Sequence, residues 1–294
     1  MNTRLDPILI ATVRITRNFG SKRRDQLERF LVKLANGKPA EYYAQHIKNL
    51  AICFFSEKEG INRILAICTG VENLVVVAPA RGFYFFENPQ AGRNLRRLTI
   101  RLENCFRSFP NFNHSCFSNL THLHLLDEYD DWPAYAGWGN LTSLTHLAFS
   151  CASPDETRSL VQTLPAIQYV ALGHYCRGER YNETEVDNSP HIREVWGVRA
   201  VFFWKIPEHD WERGARGGGD FWDVVEREVK RRLEDVSADR KDVLADGKDV
   251  LADGKDVSVD GKDVSADGKA DAPTKRSKKV KKKRPRQSTV QARA

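Results

Sequence analysis

Three observations predict an α/β fold on a parallel sheet, followed by a disordered carboxyl-terminal tail, for this chain of 294 residues. An apolar frame of the form L-x-x-L-x-L recurs through residues 47–200 with a period near 24. The stretches between successive frames are too long for hairpins, which forces crossovers between parallel strands. From residue 237 the composition changes to short acidic repeats and then to a basic block.

The frame matches at Ile47-x-x-Leu50-x-Ile52, Val71-x-x-Leu74-x-Val76, Leu95-x-x-Leu98-x-Ile100, Leu120-x-x-Leu123-x-Leu125, Leu144-x-x-Leu147-x-Phe149 and Ile167-x-x-Val170-x-Leu172. A weaker seventh match, Ile192-x-x-Val195, has Gly197 in place of the last apolar residue. The central apolar positions are Leu50, Leu74, Leu98, Leu123, Leu147, Val170 and Val195, and their spacing is nearly constant. Period-two alternation is what a strand with one buried face requires. One strand plus a variable return at this period describes a leucine-rich repeat, whose units bury their apolar faces only against neighbouring units. The expected architecture over residues 47–213 is therefore a leucine-rich-repeat-like solenoid of about six to seven irregular ~24-residue repeats. An ordinary α/β domain with evenly spaced strands is the alternative.

Residues 1–46 read as a strand-helix cap. Ile8 to Ile15 is a strand candidate, and Asp25 to Ala35 is amphipathic, with Leu27, Phe30, Leu31 and Leu34 at helical spacing before the stop Asn36-Gly37. Among the returns, Ile61 to Cys68 and Pro154 to Leu164 read as helices, the second with Ser153 as N-cap and Pro154 at the first helical position. Residues 130–139 are too rich in Gly, Pro and aromatics for a regular helix and suit loops with short 3₁₀ turns. Val201-Phe202-Phe203-Trp204 suits a closing strand. Residues 214–236 hold the breaker Gly214 to Gly219, then a helix from Phe221 to Leu233 capped by Asp220. Its stripe of Phe221, Val224, Val225, Glu228, Val229 and Leu233 is only moderately apolar, and the helix either docks or stays free.

Residues 241–268 read KDVLADG, KDVLADG, KDVSVDG, KDVSADG. A glycine in every heptad and one or two apolar side chains per unit argue against a coiled coil, and neither calcium-binding spacing is met. Residues 237–294 are accordingly expected to be a disordered spacer and tail.

Net charge is +7, yet residues 269–294 hold eleven Lys/Arg against the single acid Asp271, so the part of the chain before Lys269 sums to −3. General phosphate-backbone binding by the folded part has no support in that balance. No apolar run approaches the ~18 to 20 residues that span a bilayer, so no membrane partner is expected. Six scattered cysteines without a C-x-x-C pair suit free thiols. G-x-S-x-G, P-loop and G-x-G-x-x-G patterns are missing, so the chain is not expected to be an enzyme or to carry a cofactor. No metal site is expected at His114, Cys116, His122, His124 and Cys105, because the cysteines fall in connecting segments and no zinc spacing supports them.

Repeat register maps the outward sheet face. The column before each central residue runs Asn49, Asn73, Arg97, His122, His146, Tyr169, Glu194, and the next outward columns add His124 and Arg101. Arg97, Arg101, His122, His124, His146 and Tyr169 are the candidate partner-binding residues on the concave sheet, suited to an acidic or phosphorylated protein partner. Solvent-facing polar positions without a ligand are the alternative. The aromatics Phe83 to Phe86, Tyr129, Trp132, Tyr135 and Trp138 suit either an interface or an irregular core. In the tail, Lys275, Arg276, Lys278, Lys279, Lys281, Lys282, Lys283, Arg284 and Arg286 form a block that reads first as a nuclear-import signal, bound by an import receptor. Nuclear localisation is expected, with a cytoplasmic location as the alternative. A nucleic-acid contact through the same tail is the alternative function.

With Asp6-Pro7-Ile8-Leu9, Pro39 to Leu50 and Asn119-Leu120-Thr121-His122-Leu123-His124-Leu125 in view, residues 4 to about 205 resemble the leucine-rich halves of F-box-type proteins abundant in mushroom-forming fungi. The resemblance implies a substrate-recognition solenoid, which in complete members is joined to an F-box that docks on a ubiquitin-ligase adaptor. No F-box is expected in this chain, whose first strand begins by residue 8; either this variant lacks it or the sequence is truncated. The function expected is a non-enzymatic protein-protein interaction module.

Overall fold

A computed structural model of the whole chain describes residues 11–16, 25–53, 58–77, 92–102, 111–126, 135–150, 154–164, 166–173, 186–187, 199–203 and 210–249. The chain divides into two units, 1–245 and 246–294. The sheet and the site described below lie in the first.

Among the described residues, nine strands form one sheet: β1 (Thr12–Thr16), β2 (Asn49–Cys53), β3 (Asn73–Val77), β4 (Arg97–Ile100), β5 (His122–Leu125), β6 (His146–Phe149), β7 (Tyr169–Gly173), β8 (Val186–Asp187) and β9 (Ala200–Phe203). The first seven lie side by side in chain order, β9 follows β7, and all eight are parallel. Only β8 runs antiparallel, at the edge beyond β9.

Register follows the apolar frame. Leu50, Leu74, Leu98, Leu123, Leu147 and Val170 stand opposite one another across successive strands. Upstream of the strands a backbone ladder repeats the same offset. The amides of Arg96 and Arg97 both donate to the Glu72 carbonyl, those of Thr121 and His122 to Arg96, and those of Thr145 and His146 to Thr121. Each unit thereby satisfies the backbone groups of the one before it.

Alternation assigns the faces. Leu50, Ile52, Leu74, Val76, Leu98, Ile100, Leu123, Leu125, Leu147 and Phe149 join the larger core, together with α1 (Asp25–Asn36), α2 (Ala40–His46), α3 (Lys58–Ile67) and α4 (Pro154–Gln162). In α1, Leu27 and Leu34 are buried and Phe30 and Leu31 pack against the same core, as the stripe predicts. Helix α2 is additional to the helices expected from sequence and starts at the N-cap Pro39. Its buried Tyr43 hydroxyl donates to the Lys33 carbonyl and accepts from the Lys38 amide, pinning α2 to the end of α1. Tyr135 and Trp138 are core residues, Trp138 opening a short 3₁₀ turn (Trp138–Asn140). Residues 83–86, Tyr129 and Trp132 lie outside the described residues.

β7 and β9 pair directly, with Val170 opposite Ala200, and the weak frame at 192–197 falls between them in the chain. Its residues lie outside the described ones. Val201, Phe202 and Phe203 close the parallel run with buried side chains that reach both covered sides of the sheet. Two expectations differ from the structure, the first at position 213: α5 (Trp211–Ala215) spans it, and the Gly-rich turn leads on to α6 (Phe221–Asp249). Second, α6 does not end near residue 233 or give way to a spacer at 237. Residues 237–249 contain one glycine, Gly247, close to the end, and extending a helix that is already formed adds hydrogen bonds without a new nucleation cost. The rest of the repeats and the basic block, including Lys275, Arg276 and Arg286, lie outside the described residues.

Candidate functional site

The second face of the sheet is crossed by residues 210–232, a strap made of α5, a glycine turn and the first three turns of α6. At the β1 end, Trp211 packs with Ala51, Cys53 and Val75, and Arg14 pairs with Glu212 at 3.1 Å. That pairing, led by the hydrogen bond from Arg14, holds the Glu212 carboxyl below its ordinary range. Helix α5 ends in a Schellman turn: Gly218 donates to the Arg213 carbonyl at 2.8 Å and Gly217 to Gly214 at 3.0 Å, with Gly217 left-handed at φ +83°. The segment read as a breaker is thus a structured turn that joins α5 to α6.

Asp220 starts α6 reciprocally. Its Oδ1 accepts from the Trp222 amide at 2.9 Å, while Asp223 Oδ2 accepts from the Asp220 amide at 2.6 Å. Its other oxygen, Oδ2, meets Arg97 at 2.9 Å. Burial raises the Asp220 pKa against the opposing pull of Arg97.

Beneath α6 the structure gathers most of the candidate partner-binding residues into one line. Arg97, His122, His146 and Tyr169 are consecutive register partners. The His122 and His146 rings stack at 3.8 Å and 10°, and His146 and Tyr169 at 4.5 Å and 22°. Trp222 stands edge-on to both histidines, at 5.3 and 5.4 Å. His124 lies on the same face, under Phe221 at 5.3 Å, with its Nε2 2.8 Å from Ser150 Oγ. Arg101 follows the last residue of β4 and is half-buried, so it stands at the strand end and not within the line. These residues were expected on an open face. They are instead covered by the chain's own helix, because Phe221, Trp222, Val225 and Val229 bury their apolar surface against Ala148, Ala171, Val201 and Phe203.

Covering the row sets its protonation. Burial pushes His122 down to about 2, helped by the charges of His146 and Arg97, and pushes His124 down to about 3. Burial and Arg97 push His146 down to about 4. All three imidazoles are neutral at pH 7, so the 3.0 Å approach of Glu226 Oε1 to His146 Nε2 is not an ion pair.

The helix stripe differs from the expected one. Arg232 is 1% exposed while Leu233 is 45% exposed. Arg232 donates to the Ala200 carbonyl at 2.6 Å and to Glu228 at 2.7 Å, so its charge is paired and it caps a backbone acceptor of β9. Hydrogen bonds from Arg231 and then Arg232 pull the Glu228 carboxyl down to about 2. Trp222, Glu226 and Arg232 were not singled out from sequence, since only the docked orientation of α6 distinguishes them. A heptad-like spacing of 222, 225, 229 and 232 was the signal available, obscured by the charge at its end.

Elsewhere, buried Cys68 and Cys116 are free thiols, with burial pushing Cys68 up to about 12. A cleft of about 350 Å³ before β4 to β6 is lined by polar side chains including Arg93, Asn94, Arg96 and Asn119. No helix among the described residues is long and apolar enough to cross a membrane. No protein-family profile matches the chain, and no curated protein sequence matches it.

Proposed function

We propose that this chain is a non-enzymatic protein-interaction module of the leucine-rich-repeat type, whose sheet face takes an amphipathic helix. The observation that carries the reading is the row Arg97, His122, His146 and Tyr169, laid out by consecutive parallel strands and already engaged by a helix with an acidic cap and two aromatic anchors. Paired aromatics in a desolvated centre, ringed by a charge pair, have the composition of an interaction hot spot. A partner presenting an apolar helical face with the same features competes with α6 for the row, the helix-in-groove mode of recognition. The resemblance to F-box-type solenoids supports a ubiquitin-ligase substrate receptor as the biological setting, and the basic tail supports nuclear import.

The test uses the full chain and a fluorescent peptide of residues 219–238. A Phe221→Ala/Trp222→Ala variant, checked for retained circular dichroism, should bind the peptide at least tenfold more tightly than the wild type, whose row is filled. Equal binding by the two chains, or none by either, overturns the reading.

A further inference from the structure

Aromatic packing does not account for one feature under α6: ligand-type atoms of His122, His146 and Glu226 all lie within 4.8 Å of one another. A threonine hydroxyl flanks the outer nitrogen of each ring. Thr121 Oγ1 lies 3.0 Å from the Arg96 carbonyl, to which it can donate, and 2.9 Å from His122 Nδ1, from which it can accept. Thr145 repeats the arrangement, donating to the Thr121 carbonyl at 3.2 Å and lying 2.7 Å from His146 Nδ1. With the threonine protons on those carbonyls, both imidazoles take the Nδ1–H tautomer and present a lone pair at Nε2.

In that tautomer three acceptors converge without a donor. His146 Nε2 faces Glu226 Oε1 at 3.0 Å. His122 Nε2 is buried and has no hydrogen-bond partner among the described residues. Leaving buried acceptors unmatched is costly. A proton on one ring satisfies one nitrogen and places charge in a stack beside Arg97; a cation between the three satisfies all of them.

We propose that His122, His146 and Glu226 form a binding site for one divalent transition-metal ion of the zinc class. Two imidazole nitrogens and one carboxylate oxygen are the donor set of open zinc sites, whereas calcium and magnesium take oxygen ligands. The threonine hydroxyls act as the outer acceptors that orient ligating imidazoles. Glu226, 45% exposed at its side chain, leaves a path for the ion and a water as fourth ligand. Metal–nitrogen bonds of about 2.0–2.1 Å require the two rings to splay from their parallel stack, so that the Nε2 lone pairs converge. Sheet and helix each contribute ligands, so the ion fastens α6 to β5 and β6.

The experiment titrates chelator-treated full-length protein with Co²⁺ alone, followed by visible absorption, and then displaces it with Zn²⁺. One equivalent of Co²⁺ with the intense bands of a four- or five-coordinate ion is expected, at least tenfold weaker in Glu226→Gln and unchanged in His114→Ala. X-ray absorption of the Zn²⁺-loaded wild type should read two imidazoles, oxygen and no sulfur, independently of how any variant folds. Absence of stoichiometric binding by the folded wild type, sulfur in the ligand shell, or Co²⁺ affinity that survives both Glu226→Gln and His146→Ala overturns the proposal.

Discussion

Arg97 and Asp220, 123 positions apart in the chain, meet at 2.9 Å, and this contact sets where α6 begins on the sheet. One carboxylate performs both tasks: Oδ2 holds β4 through Arg97, and Oδ1 caps the helix at the Trp222 amide. Helix start and sheet register are thereby coupled through a single side chain.

Removing that side chain separates the two tasks. Asp220→Ala should lower unfolding free energy by about 2 kcal/mol, combining a lost N-cap with a lost charge-assisted bond. Asp220→Asn, which keeps a capping oxygen, should lose roughly half as much. Urea denaturation midpoints decide this; equal losses in the two variants would show that the cap contributes nothing.

Trp222 joins helix and row by packing alone. Trp222→Ala should cost about 3–5 kcal/mol, the usual range for truncating a buried large aromatic. Amide hydrogen exchange over residues 221–232 should accelerate far more than in β2 and β3, because the strap opens before the sheet does. Uniform acceleration across both regions would mean that the strap and sheet unfold together.

Glu228 gives the strap an acid dependence. Its carboxyl is held at about 2, below the ordinary 4.5, by Arg231 first and Arg232 second, the charged groups that face it. A lowered acid pKa contributes stability that is fully present above about 4.5 and is lost as pH falls toward 2. The stability difference between wild type and Glu228→Gln should therefore be flat above pH 5 and shrink below it. A difference that stays constant down to pH 2.5 contradicts the pairing.

Gly217 isolates a backbone effect. Its φ is +83°, and a Cβ added there meets no atom within 4 Å, so Gly217→Ala should cost about 1 kcal/mol through conformation alone. Gly139 is equally uncrowded without a positive φ, and Gly139→Ala should be close to neutral. Thermal melts of the pair make the comparison.

Deletion of residues 269–294 tests the basic tail. Loss of nuclear accumulation with unchanged nucleic-acid affinity is expected of an import signal. Loss of affinity in a gel-shift titration would favour the nucleic-acid reading instead.

Strand positions were legible because period-two burial leaves a direct trace: Leu98 and Ile100, or Leu123 and Leu125, can be placed inward without knowing what covers them. The sheet face of the six candidate residues was also legible, five of them lying near one another on it. Their surroundings were not. Polarity at Arg97, His122 and His146 implies water only when nothing else satisfies those side chains, and here Asp220, Glu226, Trp222 and the threonine hydroxyls surround them.

By itself the sequence determined the spacing, order and inward face of the strands, since these follow from a local alternation repeated at a near-constant interval. Tertiary structure alone decided that residues 210–232 fold back across the other face. That outcome depends on long-range matches, Arg14 with Glu212, Arg97 with Asp220 and Arg232 with the Ala200 carbonyl, whose partners carry no mark of one another along the chain. Burial of Phe221 and Trp222 against a sheet of small and aromatic residues supplies the driving force, and the charge pairs set the register.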